Sequence, residues 1–479
     1  MTTVSATNFK SLDGPTHATV FIWLFAISSI WHYTSSASDI ASYWFQYNPL
    51  VTPLILISIG TGFLAACFPD KTRALLWLSI GQLIAIGLRF PFVADHRVME
   101  MFLSLSIVLS YCYLAFGKRS FKVGTTEMFE VFSPIGRWLL IVMYFYGTFH
   151  KINAGFLSPQ SSCAIPFLNG FPLPASLLKQ HSIQYAAIYG TLIFEFVAML
   201  LLFSARTKYY GMLLGMSFHF MVGISGYGTL AHFSAFALAL HTLFLPADFG
   251  KRVYADPLVP ALLKDAQRFK VLTVVFVLLQ VGLAIHMFLA AENDYINSLF
   301  AVFGLSLLVL VYRHGRLSAT DAPYRLKSSF AIANLIPVWF FLHCLSPYIG
   351  LGTGGTIAMF SGLRTEGGVS NHYIIREPIR LFPYQDKIVY IERAGNPSLQ
   401  EASADRQGVV MFDFQRHFMT KEPLVLPLQV RVGDVSYVIS DKSSLIKFAD
   451  EYFTRQSWLE RRYMSFRLVD DPHPNQCRH

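Results

Sequence analysis

Long apolar runs, separated by short polar segments, dominate the first three quarters of the chain. A helix that crosses a membrane needs about 20 mostly apolar residues, and the runs here have about that length. The pattern predicts an all-α polytopic membrane domain over residues 1–348. Eleven spans are expected, near residues 17–33, 50–68, 73–90, 98–116, 136–156, 184–204, 208–224, 229–246, 270–290, 295–312 and 329–348.

The first apolar run has two interpretations. It follows Lys10 and precedes the small residues Ser35 to Ser38, as the apolar part of a secretory signal peptide would. We interpret it as a retained helix, because many more spans follow it. The topology below does not depend on this choice.

Basic residues alternate strongly between the loops. Eighteen Lys and Arg fall in loops on one side of the predicted membrane, whereas only Arg89, Arg97 and Lys179 fall on the other. Loops rich in Lys and Arg stay in the cytoplasm. The chain is therefore expected to be an integral, multi-pass membrane protein with a cytoplasmic N-terminus, and eleven spans place the C-terminal part outside.

The chain changes character after residue 348, where charge rises and the apolar runs shorten. Residues 349–479 are expected to form a small extra-cytoplasmic α+β domain. Segments rich in Val and Ile predict strands, and two later segments predict helices, the first capped by Ser443 or Ser444. The strands are expected at 372–376, 387–392, 409–413, 424–432 and 435–439, and the helices at 443–453 and 458–466.

Composition agrees with a chain that dissolves in lipid. Hydrophobic residues make up 53% of it and charged residues only 14%, against about 25% charge in soluble domains. The net charge of +9 does not predict a nucleic-acid partner, because the basic residues lie in short loops between apolar runs. No cysteine or histidine spacing predicts a metal site. Cys163, Cys344 and Cys477 all lie near the predicted outer side. The sequence is compatible both with a disulfide between two of them and with no disulfide.

Ionisable residues inside spans are costly and therefore mark functional candidates. Lys151 lies toward the outer end of the fifth span, next to His150. An amine kept from water favours its neutral form, which can act as a general base near pH 7. The alternative is a lysine that extends to the membrane interface.

Glu195 falls near the middle of the sixth span. A carboxyl group there is either protonated or paired, and Lys151 and Arg206 are the candidate partners. The alternatives to a functional role are a structural ion pair and a protonated group bonded to the backbone.

Histidines and one more acid complete the set of candidates. His232 and His241 are nine residues apart, so they face opposite sides of one helix. Each histidine has a purely structural alternative, as a hydrogen-bonded residue of the bundle. Glu100 is expected to be an interfacial charge. The histidines at or inside predicted spans are His96, His219, His232, His241 and His286.

Residues Tyr144–Ile152 (YFYGTFHKI) resemble the segment of vitamin K-dependent gamma-carboxylases that carries the lysine base. The core of that family is also called the HTTM domain. In the family pattern, an aromatic pair precedes small residues and then a lysine, so the resemblance puts Lys151 on the catalytic lysine, with Tyr144 and His150 in support. This chain departs from the pattern in having His150 before the lysine.

Shorter matches extend the resemblance over most of residues 17–348. Residues 217–221 and 233–236 resemble the aromatic-histidine helix of the family and the phenylalanine-rich helix that follows it. Glu195 and Arg206 match the acidic helix and the basic residue that closes it. Residues 94–97 resemble a polar turn that contains a histidine, here His96, and 363–372 resemble a segment after the last helix of bacterial members.

The resemblance implies an enzyme of lipid-soluble quinols. Its lysine would deprotonate vitamin K hydroquinone or a related quinol, with O2 and CO2 as co-substrates, and the strong base so formed would allow carboxylation of glutamate. Lys151 would be the base, His96 and His219 would stabilise oxygen-centred anions, and Glu195 would position residues. Membrane lipid, the quinol and an outer peptide or protein substrate are the implied partners, and a bacterial inner membrane is the implied location.

Two other functions are compatible with the sequence. One is a membrane maturation or assembly factor that keeps the fold without the chemistry. The other is a transporter in which buried His and Glu side chains carry protons, although no inverted repeat or pair of broken helices is apparent.

Overall fold

The computed structural model describes residues 15–34, 51–225, 230–290, 294–316, 324–395, 407–420, 425–470 and 477. Within these residues the protein is mostly helical and has one small sheet close to the C-terminus. Helices occupy each of the eleven apolar segments. They are α1 His17–Thr34, α2 Val51–Cys67, α3 Thr72–Arg89, α4 Asp95–Lys118, α5 Thr125–His150, α6 Ala164–Asn169, α7 Ala175–Leu178, α8 His181–Leu202, α9 Lys208–Ile224, α10 Leu230–His241, α11 Phe249–Ala255, α12 Ala261–Lys264, α13 Ala266–Ala290, α14 Asp294–His314, α15 Leu335–Cys344 and α16 Ser346–Ile349.

Five of these helices are long and apolar enough to cross a membrane, namely α4, α5, α8, α13 and α14. A sixth span results if α10 with its 3-10 extension to Phe244 is joined to α11, although the two are bent by 98°. The remaining apolar helices are shorter or carry more polar residues; α1, for example, contains two serines and two histidines. Length and composition thus support fewer spans than the eleven expected.

Helix α1 forms the centre of the bundle. It packs against α2, α10 and α13, and nearly all of its side chains are buried, including Phe21, Phe25 and Trp31. A helix that is apolar on every side is expected to be enclosed by other helices. The sequence therefore explains why this helix is central.

The C-terminal part contains five strands and three helices, namely β1 Ile388–Arg393, β2 Gln407–Val410, α17 Met411–Thr420, β3 Leu428–Val432, β4 Val435–Ile439, α18 Lys442–Tyr452, α19 Trp458–Tyr463 and β5 Val469–Asp470. The strands form an antiparallel sheet with the order β4-β3-β1-β2-β5. Helix α18 begins at a capping box in which Asp441 accepts from the Ser444 backbone N–H, so the cap lies just before the predicted serines.

Two expected strands are corrected. The segment 409–413 ends a strand at Val410 and then begins helix α17, which was not predicted. The segment 372–376 contains no strand and forms only an isolated bridge between His372 and Asn153. In the first segment Met411 and Phe414 pack in the core of the C-terminal part, whereas in the second Tyr373 and Ile374 are exposed.

The described residues between 349 and 470, which we call the tail, pack against one end of the helical bundle, which we call the tail end. Arg462 Nη1 donates to the carbonyl oxygens of Leu88 (3.1 Å) and Phe90 (3.3 Å), at the end of α3. The backbone N–H of Met359 donates to Asp95 Oδ2 at the start of α4, at 2.6 Å. These bonds fix the tail over the end of α3 and the start of α4.

A disulfide between Cys163 and Cys477 adds a covalent link, with 4.7 Å between the two Cα atoms. Cys163 precedes α6, and Cys477 lies close to the C-terminus, 314 residues away. Cys344 is free and buried. Of the pairings left open by the sequence, the structure therefore contains this one.

Candidate functional site

Lys151 and Glu195 form a buried ion pair. Lys151 caps the C-terminus of α5, and its Nζ donates to Glu195 Oε1 at 2.8 Å and Oε2 at 2.7 Å. A third bond from Nζ reaches the carbonyl oxygen of Gly147 at 3.0 Å. The two residues are only 7% and 8% exposed. All three N–H donors of the ammonium group are used. These bonds offset the free-energy cost of removing the lysine charge from water.

The pair lies in the wall of an apolar cavity of about 240 Å³. Binding sites for small molecules usually measure about 300–1,000 Å³, so this cavity suits a ring system rather than a whole lipid. Its other walls come from α6, α8, α9, α10 and the tail. The lining residues include Phe167, Phe194, His219, Met221, Phe233 and Phe360.

The cavity reaches the outer surface of the bundle between two neighbouring helices. Phe194 of α8 and Met221 of α9 both line the cavity, and they are also 37% and 38% exposed. The surrounding surface of α8 is apolar, with Tyr189 and Ile193 exposed. An apolar molecule dissolved in lipid would therefore meet the opening directly.

His219 of α9 is the third ionisable residue that lines this cavity, after Lys151 and Glu195. It is buried, and neither ring nitrogen has a hydrogen-bond partner among the residues that the structure describes. Buried polar atoms are nearly always bonded. His219 thus lines the cavity with hydrogen-bonding capacity that the described residues do not use.

Tyr144 lies next to His219 and is hydrogen-bonded to His241 of α10. The Tyr144 hydroxyl lies 2.9 Å from His241 Nε2, and His241 Nδ1 lies 2.6 Å from the Ala237 carbonyl oxygen. Because that carbonyl can only accept, Nδ1 carries the proton and the tyrosine donates to Nε2. The ring of His219 lies 5.8 Å from that of Tyr144, measured between centroids.

Gly215 allows α9 to approach this tyrosine–histidine bond. A Cβ atom at position 215 would overlap both His241 Nε2 and the Tyr144 hydroxyl. The glycine is needed for space and not for an unusual backbone angle. The sequence offered no sign of this, since the three residues come from three different helices.

His150 faces away from the cavity. Its Nδ1 lies 2.8 Å from the Tyr348 hydroxyl and its Nε2 lies 3.1 Å from the Thr356 carbonyl oxygen. It therefore ties the end of α5 to the tail. The next residue along the chain, Lys151, points to the opposite side of the helix, toward Glu195.

The segment 363–372 holds the chain just after Lys151. Asn153 Nδ2 donates to the carbonyl oxygens of His150 (2.6 Å) and Ser361 (2.7 Å). His372 Nε2 lies 2.8 Å from the Phe149 carbonyl oxygen, and its Nδ1 accepts from two backbone N–H groups of the tail. Burial lowers the pKa of His372. This network fixes the direction in which α5 presents its lysine.

His96 and Arg206 do not line the cavity. The ring of Phe233 lies between His96 and His219, at 5.7 Å and 5.1 Å between centroids. Arg206 lies in an exposed turn after α8, so of the two candidate partners only Lys151 pairs with Glu195. His96 instead lies beside His32 and His232.

His32 is the residue that the sequence analysis missed. It falls inside the first predicted span, and a histidine in a span is itself a sign of function. Glu100 also differs from expectation, since it is buried and pairs with Arg97 instead of lying at the interface. Ser29 Oγ donates to its other carboxylate oxygen at 3.0 Å.

The chain was compared with models of protein families, with curated proteins and with solved structures, and none of the three comparisons found a match.

Proposed function

We propose that this protein is a membrane enzyme that deprotonates a lipid-soluble quinol, in the manner of the vitamin K-dependent gamma-carboxylases that its sequence resembles. One observation carries the proposal: an amine, a carboxylate and an unbonded imidazole face the same apolar cavity. The lateral opening between α8 and α9 supports entry of the substrate from lipid. A quinol ring would occupy the cavity while its isoprenoid chain stays in the membrane.

Glu195 lets Lys151 serve as a base although the two are paired. In the ion-paired form the ammonium group has no free lone pair. Transfer of one proton from Lys151 to Glu195 would give a neutral amine and a neutral acid and would free the lone pair of the amine. The amine then accepts the proton of a quinol hydroxyl, and His219 donates a hydrogen bond to the resulting oxygen anion.

The overall reaction is balanced by one quinol, one O2 and one CO2. The quinol is oxidised to its epoxide and O2 is reduced, with release of one water. The substrate glutamate loses a proton from its γ-carbon to the strong base, CO2 forms a new bond to that carbon, and one proton is released overall. An apolar cavity favours these steps because water would quench a strong base. Phe167 and Phe360 contribute to its dry walls.

For the acceptor we propose a peptide or protein glutamate that arrives from the tail side. Ile357, Met359 and Phe360 of the tail close the cavity on that side. The acceptor is thus separated from the lipid opening used by the quinol. A glutamate residue that displaces these side chains would leave the lipid opening free for the quinol.

We also propose eleven spans with a cytoplasmic N-terminus and the tail outside, in a bacterial inner membrane. The contacts support this arrangement, since segments expected on one side touch one another. On the side expected to be outside, the ends of α3 and α5 contact the tail. Inside they include Arg137 with the carbonyl oxygens of Leu243 (2.9 Å) and Arg325 (2.7 Å).

The test is epoxidation of vitamin K hydroquinone by the purified protein in detergent, with O2 present. Wild type is expected to form epoxide, and Lys151→Ala is expected to lose activity by about 100- to 10,000-fold, the usual contribution of a general base. Lys179→Ala is the control, because Lys179 is an exposed lysine of the same predicted side. It should keep full activity.

Other outcomes would redirect the proposal. Folded wild type that forms no epoxide with vitamin K hydroquinone or other quinols would contradict the enzyme and favour a maturation factor. Solute flux into vesicles that depends on pH and on Glu195 would favour a transporter instead.

A further inference from the structure

Three buried histidines from three helices meet at the tail end of the bundle. His32 lies two residues before the C-terminus of α1, His96 is the second residue of α4 and His232 is the third residue of α10. One nitrogen from each can be chosen so that all three lie within 4.8 Å of one another. We propose that these histidines bind a transition-metal ion.

The geometry requires only small side-chain movements. The ring centroids are 5.5 Å apart for His32 and His96, 5.1 Å for His32 and His232, and 4.7 Å for His96 and His232. A tetrahedral ion with bonds of about 2.0–2.1 Å to nitrogen places its ligand atoms about 3.4 Å apart. A shift of about 1 Å, within the reach of small rotations of each ring, closes that difference.

The state of His96 points to a missing ligand. His96 is only 4% exposed, and its Nε2 atom has no hydrogen-bond partner among the described residues. Buried polar atoms in native proteins nearly always have partners, and exceptions often mark an ion or a water. A metal ion between the three rings would satisfy this nitrogen.

The chemistry of the donor set selects the ion. Imidazole nitrogens suit Zn²⁺ and copper, whereas Mg²⁺ and Ca²⁺ require oxygen ligands. The one group of three histidine, cysteine or acidic ligands that the described residues assemble is this set of histidines. Three protein ligands leave a fourth position of a tetrahedral ion for water or another small ligand.

Nearby charge favours an ion of low net charge. Arg97 follows His96 in the chain, but it pairs with Glu100, so these two charges offset each other. Arg97 also donates to Tyr33 and to Gln82, at 2.8 Å and 2.6 Å. With neutral imidazoles as ligands, monovalent Cu⁺ or Zn²⁺ with a bound hydroxide fits this apolar site best.

The proposed metal site is separate from the quinol cavity. His96 and His232 do not line that cavity, and the ring of Phe233 lies between His96 and His219. The site does join α1, α4 and α10, which hold the centre of the bundle. Its failure would therefore leave the proposal for Lys151 untouched.

The test begins with metal analysis of the purified full-length chain by mass spectrometry. Wild type is expected to hold about one zinc or copper per chain, and His96→Ala at least 10-fold less. His181→Ala is the matched control, because His181 is an exposed histidine outside the cluster. It should keep the wild-type metal content. The identity of the bound ion distinguishes Zn²⁺ from Cu⁺.

A second measurement covers variants that do not fold. Wild type stripped with a chelator is titrated with Co²⁺, and the visible absorption of a tetrahedral nitrogen site is expected at one equivalent. Loss of that band when Zn²⁺ or Cu⁺ is added supports the proposal. Wild type that is folded, holds below a tenth of an equivalent and gives no Co²⁺ band overturns it, as does a folded His96→Ala that keeps its metal.

Discussion

Replacing Lys151 and Glu195 by methionine, singly and together, tests the most unusual feature of this membrane domain. Their side chains form a direct ion pair that is almost completely buried. Removing one partner of such a pair leaves an unpaired buried group, which typically costs about 3–5 kcal/mol. Lys151→Met and Glu195→Met should each lower the free energy of unfolding by about that amount.

The double variant is expected to be far more stable than the sum of the two single effects predicts. Two methionines have about the length of the original side chains and leave no charge to desolvate. Replacement of a buried pair by apolar residues is often neutral or stabilising, by as much as about 1–4 kcal/mol. The coupling energy between the two sites should therefore amount to several kcal/mol.

The assay is unfolding of the purified protein in mixed micelles, followed by the fluorescence of its tryptophans. Effects at independent sites add within about 0.3–0.5 kcal/mol. If the two single effects sum to the effect of the double variant within that range, the two residues do not interact as a buried pair. Single variants as stable as wild type would contradict the pair as well. The activity of the double variant is measured on the same samples and should be lost even though stability returns.

Three further predictions concern packing, pH and the disulfide. Gly215→Ala should lower the free energy of unfolding by about 1–3 kcal/mol, because the added carbon overlaps the tyrosine–histidine bond beside it. Gly282→Ala, in an open part of α13, is the control; it should not lower the free energy of unfolding and can raise it by up to about 1 kcal/mol. Since burial lowers the pKa of His372, the unfolded chain binds a proton that the folded chain does not as pH falls below about 6.5. Stability should then decline below that pH in a denaturation series, and His372→Asn should show a shallower decline. Peptide mapping without reductant should recover the Cys163 and Cys477 peptides joined, and two separate peptides would contradict the disulfide.

The positions of the helices could be predicted from the sequence because apolar runs of this length have few alternatives. The sequence could not settle which of two candidates pairs with Glu195, since this residue falls near the middle of its predicted span, with Lys151 toward the outer side and Arg206 toward the inner side. Helix α17 was missed because the strand-like residues 409–410 lead directly into Met411, where a helical pattern begins with Met411 and Phe414 packed on the sheet. Local pattern does not show where one period ends and the other starts.

The histidine cluster shows a different limit. His32 and His96 are 64 residues apart, and His232 lies 136 residues further on, so no spacing along the chain connects them. Spacing rules for metal sites work when ligands share one helix or one loop. Here three helix ends supply one ligand each, and only the packing of α1 against its neighbours brings them together.

Stability alone does not account for the buried pair, which agrees with the chemical role proposed for Lys151. An apolar pair of the same size would hold α5 against α8 at least as well, because desolvation offsets most of the attraction between two buried charges. An apolar pair would, however, remove the amine and the carboxylate from the cavity wall. The expected combination in the double methionine variant, restored stability and lost epoxidation, would separate these two roles. Restored stability with full activity would show instead that the lysine serves the fold alone.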